Sequence, residues 1–310
     1  MAAGTVIDVY CERPGIRALG PFSVQISVTA VIPTHARDDL LRQALASALD
    51  QSADLVEVVV VDDVGSDATR RVVESVRHGD VEVRYVHNRA GNGASSSRNL
   101  GAQEAKGSHV AFLDDDDEWL PGYVQHAVAQ VRATGRSVVF TQLDRFLEAG
   151  RPLPEDLTSQ EVIATNPGVS GSSIVMGRDA FLRLGGFDPA MWVSNDKDFL
   201  VRLLDSGATY AVVAEPLVHW RQHVASRLTR PSQRRLDGLQ AYYTKYEARL
   251  TRRDRRKLLG VISNTRRHLA PRATARAGHL TLAVLRLGPT PFARRLLGRQ
   301  RQRTARLAMR

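Results

Sequence analysis

The residues with the densest capacity for chemistry are five consecutive acids, Asp114, Asp115, Asp116, Asp117 and Glu118, which follow the apolar run Val110 to Leu113 and precede Trp119-Leu120-Pro121. A short apolar run of this kind reads as a buried strand, which places the acids at its C-terminal mouth. Two carboxylates ~4 Å apart repel by roughly 4 kcal/mol at an effective dielectric of about 20. Such a run therefore needs raised pKa values, full solvation or a bound cation. An all-oxygen donor set suits a hard cation such as Mg²⁺ or Mn²⁺ over zinc or copper. The competing reading is a solvated acidic turn.

The elements around the run decide between these readings. Val24 to Ile32 alternates and is β-branched, which predicts a first strand ended by Pro33-Thr34. Asp38 to Leu49 carries Leu41, Ala44, Leu45 and Ala48 at helical spacing. Val56 to Val61 is the continuous apolar run of a strand buried on both faces, and it ends in Asp62-Asp63. A helix from about Asp67 to Arg77, a strand at Val81 to Val86 and a helix at Arg98 to Ala105 follow. Strand and helix in alternation predict an α/β fold with a mostly parallel, Rossmann-like sheet flanked by helices. Ligands of such sheets sit beyond the carboxyl ends of the strands. Three polar clusters fall there: Pro33 to Arg37, Asp62-Asp63 and Asp114 to Asp117. Their coincidence favours a ligand site over an idle turn.

Farther on, Tyr123 to Thr134 predicts an amphipathic helix and Ser137 to Gln142 a strand, and 147–168 is loop-rich. Ser172 to Met176 reads as a strand, and Arg178 to Leu184 as a helix closed by Gly185-Gly186. Ser194 to Asp205 reads as a helix with Phe199, Leu200, Leu203 and Leu204 inward, and Ala211 to Val218 as a last strand. Gly91-x-Gly93 lacks the third glycine of a dinucleotide fingerprint.

Charge divides the chain. Of its 43 Lys and Arg and 33 Asp and Glu, 24 basic and 3 acidic residues lie in 221–310, so that segment carries +21 and residues 1–220 carry −11. An acidic body with a basic, arginine-rich tail is expected to have two functional parts. The single cysteine, Cys11, excludes an intrachain disulfide framework and fits a reducing compartment. Residues 1–22 read as a leader without a secretory pattern, and no apolar run reaches the ~18 residues of a membrane span. A cytoplasmic location is expected, extending to peripheral contact with the inner membrane face.

From about Val24 to Arg227 the chain resembles the family 2 glycosyltransferases of the GT-A fold. Val31 to Arg37 resembles the family's opening nucleotide-binding strand and loop. Asp62-Asp63-Val64-Gly65-Ser66-Asp67-Ala68-Thr69 resembles its Asp-Asp-Gly-Ser-x-Asp-x-Thr signature, with Val64 in the usual glycine place. Gly91 to Asn99 resembles the glycine-containing loop and Arg-Asn helix start, and Phe112 to Pro121 the metal-binding Asp-x-Asp segment. Gly185-Gly186-Phe187-Asp188 and Asn195-Asp196-Lys197-Asp198-Phe199 resemble the acceptor-side pair, with Asn195 replacing glutamate. His219 to His223 resembles the closing Arg-x-His element.

The resemblance implies an inverting, Mn²⁺- or Mg²⁺-dependent transfer of a sugar from a UDP, GDP or dTDP donor to a hydroxyl acceptor, saccharide or lipid-linked. It implies Asp116 as direct metal ligand, with Asp114 and Asp115 positioning metal and ribose, and His223 as a further ligand in competition with His219. Pro33, Thr34 and Arg37 belong to the nucleotide-binding loop, Asp63 would accept from base or ribose, and Arg98 would meet the diphosphate or form a helix-start ion pair. Asp196 would be the general base; the plainer role is a helix N-cap carboxylate. Trp192 would stack on an acceptor sugar or fill the core.

The expected domains are a leader at 1–22, a GT-A domain at 23–227 and a basic helical region at 228–310. That last region would lie on anionic membrane through Phe292, Leu296 and Leu297, pack on the acidic body, or form an oligomer contact. Nucleic acid is not expected, because no aromatic-interleaved or zinc-spaced motif accompanies the charge. Two rivals remain: a sugar nucleotidyltransferase, which would need a glycine-rich loop after the first strand where Pro33-Thr34-His35 stands, and a non-enzymatic membrane- or nucleic-acid-binding protein driven by the tail.

Overall fold

The computed structural model describes residues 25–270, except 53, 77–78, 92, 145–150 and 222–230, together with residue 282. The leader with Cys11, the candidate ligand His223, the 227/228 boundary, and Phe292, Leu296 and Leu297 lie outside the described residues.

The first half is four strands joined by helices: β1 (Val28–Thr34), α1 (Asp38–Leu49), β2 (Leu55–Asp62), α2 (Asp67–Glu74), β3 (Glu82–His87), α3 (Gly93–Glu104) and β4 (His109–Phe112). The second half comprises β5 (Glu118–Trp119), α4 (Tyr123–Thr134), β6 (Val138–Leu143), α5 (Ser159–Ala164), β7 (Ile174–Gly177), α6 (Arg178–Arg183), α7 (Asn195–Asp205) and β8 (Ala211–His219). Two further helices, α8 (Gln233–Tyr246) and α9 (Arg252–Leu269), follow. The sheet order is β3-β2-β1-β4-β7-β6-β8-β5. Pairing is parallel across β3-β2-β1-β4 and between β6 and β8, and antiparallel where β7 joins β4 to β6 and where β5 joins β8.

Both faces of this sheet are covered, as its apolar runs require. Val28, Ala30, Ile32, Val58, Val60, Ala111 and Leu113 face one core with α1 and α4. The alternate residues Val31, Val59, Val61, Val110 and Phe112 face the other, with Phe181, Phe187 and Phe199. The two-residue period of a strand thus divides each run between two layers. Helix α3 comes close enough to the sheet that a Cβ on Gly101 would lie 2.3 Å from a Val31 methyl.

Several elements depart from the sequence expectation: α3 begins at Gly93, five residues before the expected Arg98, and Glu118–Trp119 form the unexpected strand β5. The loop-rich stretch 147–168 contains α5, nucleated by a capping box in which Thr158 and Glu161 bond reciprocally; the Thr-x-x-Glu spacing was its signal. The first strand begins at Val28 and runs through Pro33 to Thr34. Packing also crosses from the acidic body into the basic segment. Tyr242 and Tyr246 of α8 are buried in the same core as Phe199, so this basic helix is built into the body.

Candidate active site

Parallel pairing brings three strand ends to one edge. Thr34 pairs with Asp62, Val31 pairs with Phe112, and each strand then hands a polar loop to the same side. Pro33, Thr34, Arg37, Asp63, Arg98, Asp114, Asp115, Asp116 and Asp196 all line one cleft of about 380 Å³.

The acidic run is a tight turn whose four aspartates have separate surroundings. Asp117 N–H donates to the Asp114 carbonyl at 3.0 Å, closing the turn. Asp115 turns inward, fully buried, to accept from Thr34 Oγ1 at 2.7 Å and pair with Arg37 at 2.5 Å. Burial pushes its pKa up to about 7 against the pull of Arg37 and Thr34. Asp114, Asp116 and Asp117 turn the other way and present oxygens within 4.8 Å of one another. Burial, then repulsion from Asp114 and Asp116, holds the Asp117 carboxyl well above the usual range. Three converging hard oxygen donors of this kind fit Mg²⁺ or Mn²⁺. Asp117, to which the family resemblance gave no role, thus joins Asp114 and Asp116 in the cluster.

Arginines hold the turn from three directions. Arg98, buried, pairs with Asp114, and its Nε and Nη1 have no hydrogen-bond partner among the described residues. A Cβ on Gly171 would lie 2.7 Å from its Nη2, so glycine leaves room for the guanidinium. Arg37 reaches Asp116 at 3.3 Å as well as Asp115. Burial pulls its pKa down, but Asp115, Asp116 and Asp114 outweigh that and raise it. Arg221, just past β8, donates to the carbonyls of Asp115, Asp116 and Asp117 at 2.9, 3.2 and 3.0 Å, clamping the turn by its backbone. Ser172 completes the support: its Oγ accepts from Asp114 N–H and donates to Asp117 at 2.6 Å.

The second aspartate pair at the β2 end divides its labour. Asp62 is buried and spent on structure, accepting from the N–H groups of Val64 and Ser66 and from Tyr85 Oη. Asp63 faces the cleft and meets His35 Nδ1 at 2.5 Å. His219 is outside the cleft lining; its Nδ1 meets Asp144 at 2.5 Å.

The start of α7 lines the same cleft as the turn. Ser194 adopts φ 61, a left-handed conformation unusual for a residue with a Cβ, and makes no side-chain cap. Strain of this kind persists where surrounding structure enforces it. Asp196 follows, its Oδ2 accepting from Asn166 Nδ2 at 3.1 Å and its Oδ1 from Lys197 N–H at 2.8 Å. Asp196 lies inside the first turn, so it is not the N-cap. Burial raises its pKa, opposed by the Lys197 N–H, Lys197 and Arg98 charges and aided by Asp114. Asp198 points away, fully buried, against Arg202 at 2.9 Å, Lys245 at 2.6 Å and Tyr246 Oη at 2.7 Å. Lys245 also holds Asp188 at 2.7 Å.

Sequence reasoning missed the contribution of Asn166, Lys197, Arg221, Arg235 and Leu239 to the cleft wall. The Arg235 and Leu239 positions on α8 were masked by the tail's charge. Trp192 lines the cleft with the Arg234 guanidinium 3.8 Å from its ring centroid. Gly93 and Gly238 pack against it so closely that a Cβ on either would lie under 3.4 Å from Trp192 atoms.

Residues 29–178 match the family description of glycosyl transferase family 2. An uncharacterized glycosyltransferase of Haemophilus influenzae is 28% identical over 232 residues, 70% of this chain and 77% of that protein. The GalNAc(5)-diNAcBac-PP-undecaprenol beta-1,3-glucosyltransferase of Campylobacter jejuni is 36% identical over 96 residues, 31% of each chain. Among solved structures, the mannosyltransferase PcManGT of Pyrobaculum calidifontis in complex with GDP-Man and Mn²⁺ superposes with TM-score 0.58 at 20% identity, covering 86% of this chain and 81% of that one. TarS 1-349 of S. aureus in complex with UDP-GlcNAc gives 0.56 at 15% identity, covering 86% and 92%. The fold is shared with both.

Proposed function

This chain belongs to glycosyl transferase family 2 and is a glycosyltransferase, and from that premise we propose that it moves a sugar from a nucleotide diphosphate donor to a hydroxyl acceptor with inversion, using a divalent cation. The observation that carries this is one cleft lined both by a three-carboxylate cluster and by Asp196 at the start of α7.

Asp114, Asp116 and Asp117 would hold Mg²⁺ or Mn²⁺, with His223 a further candidate. When bound, such an ion supplies Lewis-acid neutralisation of charge on the leaving diphosphate. Asp63, with Pro33 and Thr34 beside it, receives base and ribose, a carboxylate being suited to accept from a base N–H or sugar hydroxyls. Arg98 and Arg37 offer guanidinium donors to phosphate oxygens, and the two unpartnered nitrogens of Arg98 fit that task. Asp196 Oδ takes the proton of the acceptor hydroxyl as the oxygen attacks the anomeric carbon opposite the leaving group. Its partial burial favours the protonated product of that step. The acceptor hydroxyl belongs to a saccharide, lipid-linked ones included. For residues beyond 228, α8 supplies part of the acceptor wall, and the arginines on the exposed side of α9 suit an anionic lipid surface.

The test is a screen of UDP-, GDP- and dTDP-sugars with Mn²⁺, followed by proton NMR of the sugar released or transferred. The proposal expects hydrolysis or transfer from one nucleotide class with the anomeric configuration inverted. Retained configuration, or no cleavage of any donor, contradicts it.

A further inference from the structure

Lys197 is a lysine at a place where a lysine is costly. It is 8% exposed on the cleft wall, and an ammonium removed from water needs compensation. Its Nζ donates to the Ile163 carbonyl at 3.3 Å and lies 4.1 Å from the centroid of the Tyr242 ring. Tyr242 Oη donates to the same carbonyl at 2.9 Å. Three helices, α5, α7 and α8, thus meet at one ammonium, and among the described residues it makes no direct ion pair with a carboxylate. Packing and a cation–π contact fix its position without spending its charge.

The group that receives this charge is its neighbour. Asp196 is faced by Lys197 on its own helix, by Arg98 from α3, by Asp114 from the acidic turn and by the neutral amide of Asn166. Arg235 of α8 lines the same cleft. Of the two cations that act on Asp196, Arg98 is already paired with Asp114, and Asp114 itself repels Asp196. Lys197 lies beside it, buried, and among the described residues forms no ion pair with a carboxylate. We propose that Lys197 is a positioning residue that keeps the Asp196 carboxylate ionised for proton abstraction while standing too far off to quench it as an ion pair. The proposal rests on the reading of Asp196 as general base.

A direct ion pair at Asp196 would lower its basicity and tie up the oxygen that must accept the proton. A neutral residue at 197 would leave a half-desolvated carboxylate beside Asp114, which would hold a proton before the acceptor arrives. The arrangement seen lies between these extremes. Tyr242 and Ile163 prevent the ammonium from folding onto Asp196.

The experiment titrates Asp196 directly. Protein labelled with [¹³Cγ]aspartate is followed by NMR against pH, and the signal absent from Asp196→Asn identifies the residue. In Lys197→Met and in Lys197→Gln that signal is expected to titrate at higher pH than in the wild type, and Lys197→Arg is expected to restore it. Donor hydrolysis at saturating donor and Mn²⁺ should follow: the acid limb of kcat against pH moves to higher pH in the Met and Gln variants and returns to its wild-type position in Lys197→Arg. An Asp196 signal titrating at the same pH in wild type, Met and Gln variants overturns the inference. Full turnover in Asp196→Asn overturns the base assignment instead, a separate outcome that the NMR titration does not share.

Discussion

The acidic turn and the start of α7 both place aspartates at the cleft wall, and they treat them in opposite ways. In the turn, Asp114, Asp115 and Asp116 each meet an arginine, and Arg221 grips the backbone from beneath. On α7, Asp198 is neutralised by Arg202, Lys245 and Tyr246, whereas Asp196 two residues earlier is held by an amide and a backbone N–H. Direct cations suit a region that must gather negative charge and keep its shape. A base must accept a proton, so its cation stands back. On the proposed reading, the difference between the two regions is the difference between holding a leaving group and taking a proton.

The largest expected effect comes from exchanging the roles. Asp196→Asn keeps the shape and the Asn166 contact but cannot accept a proton. Turnover should fall by ~10³-fold, within the usual range for a general base, while calorimetric binding of the nucleoside diphosphate with Mn²⁺ stays at the wild-type value. The converse variant is Asp117→Asn, which preserves the partner of Ser172 but removes one charge from the cluster. Nucleotide affinity in Mn²⁺ should weaken roughly a hundredfold, in line with the loss of one unit charge at contact distance. Should both variants lose binding equally, the two regions do not have separate tasks.

A smaller effect probes the spent aspartate. Lys245→Met removes one of three partners of buried Asp198 and should cost about 2 kcal/mol of stability, read as a lower midpoint in urea unfolding. Because Lys245 lies on α8, the same variant measures how firmly that helix belongs to the body. An unchanged midpoint would mean that Arg202 and Tyr246 satisfy Asp198 without Lys245.

The last effect is a slope. The folded Asp115 carboxyl is raised to about 7, above its unfolded value near 4. Between those values the native state binds the extra proton, so stability falls as pH rises from about 4 to about 7 and is level above. Asp115→Asn should flatten that segment of the stability curve. A slope of the opposite sign would mean that Arg37 and Thr34 outweigh burial.

Much of this was legible in the residues. Continuous valines in β2 announced a strand covered on both faces, and the strand ends announced where Thr34, Asp63 and Asp114 would gather. What was hidden depended on direction. Nothing in five consecutive acids says that Asp115 turns to Thr34 while Asp117 joins Asp114 and Asp116, because a tight turn sends neighbours to different sides. The clamp formed by Arg221 joins residues more than a hundred positions apart, beyond any local pattern. Charge misled at α8, whose arginine-rich surface concealed Leu239, Tyr242 and Tyr246 facing inward. The Asp196–Asp198 contrast was half visible: spacing of two on a helix separates their faces, but partners from α8 and from the loop at Asn166 are distant in sequence.

The most direct test of the division between the two regions is titration of UDP, GDP and dTDP into the full chain, with and without Mn²⁺, for the wild type and Asp116→Ala. The account predicts that one nucleotide binds the wild type in a Mn²⁺-dependent manner and that Asp116→Ala, folded to the same circular dichroism spectrum, loses that dependence. Equal, Mn²⁺-dependent affinity in both proteins would contradict it, as would the failure of every nucleoside diphosphate to bind.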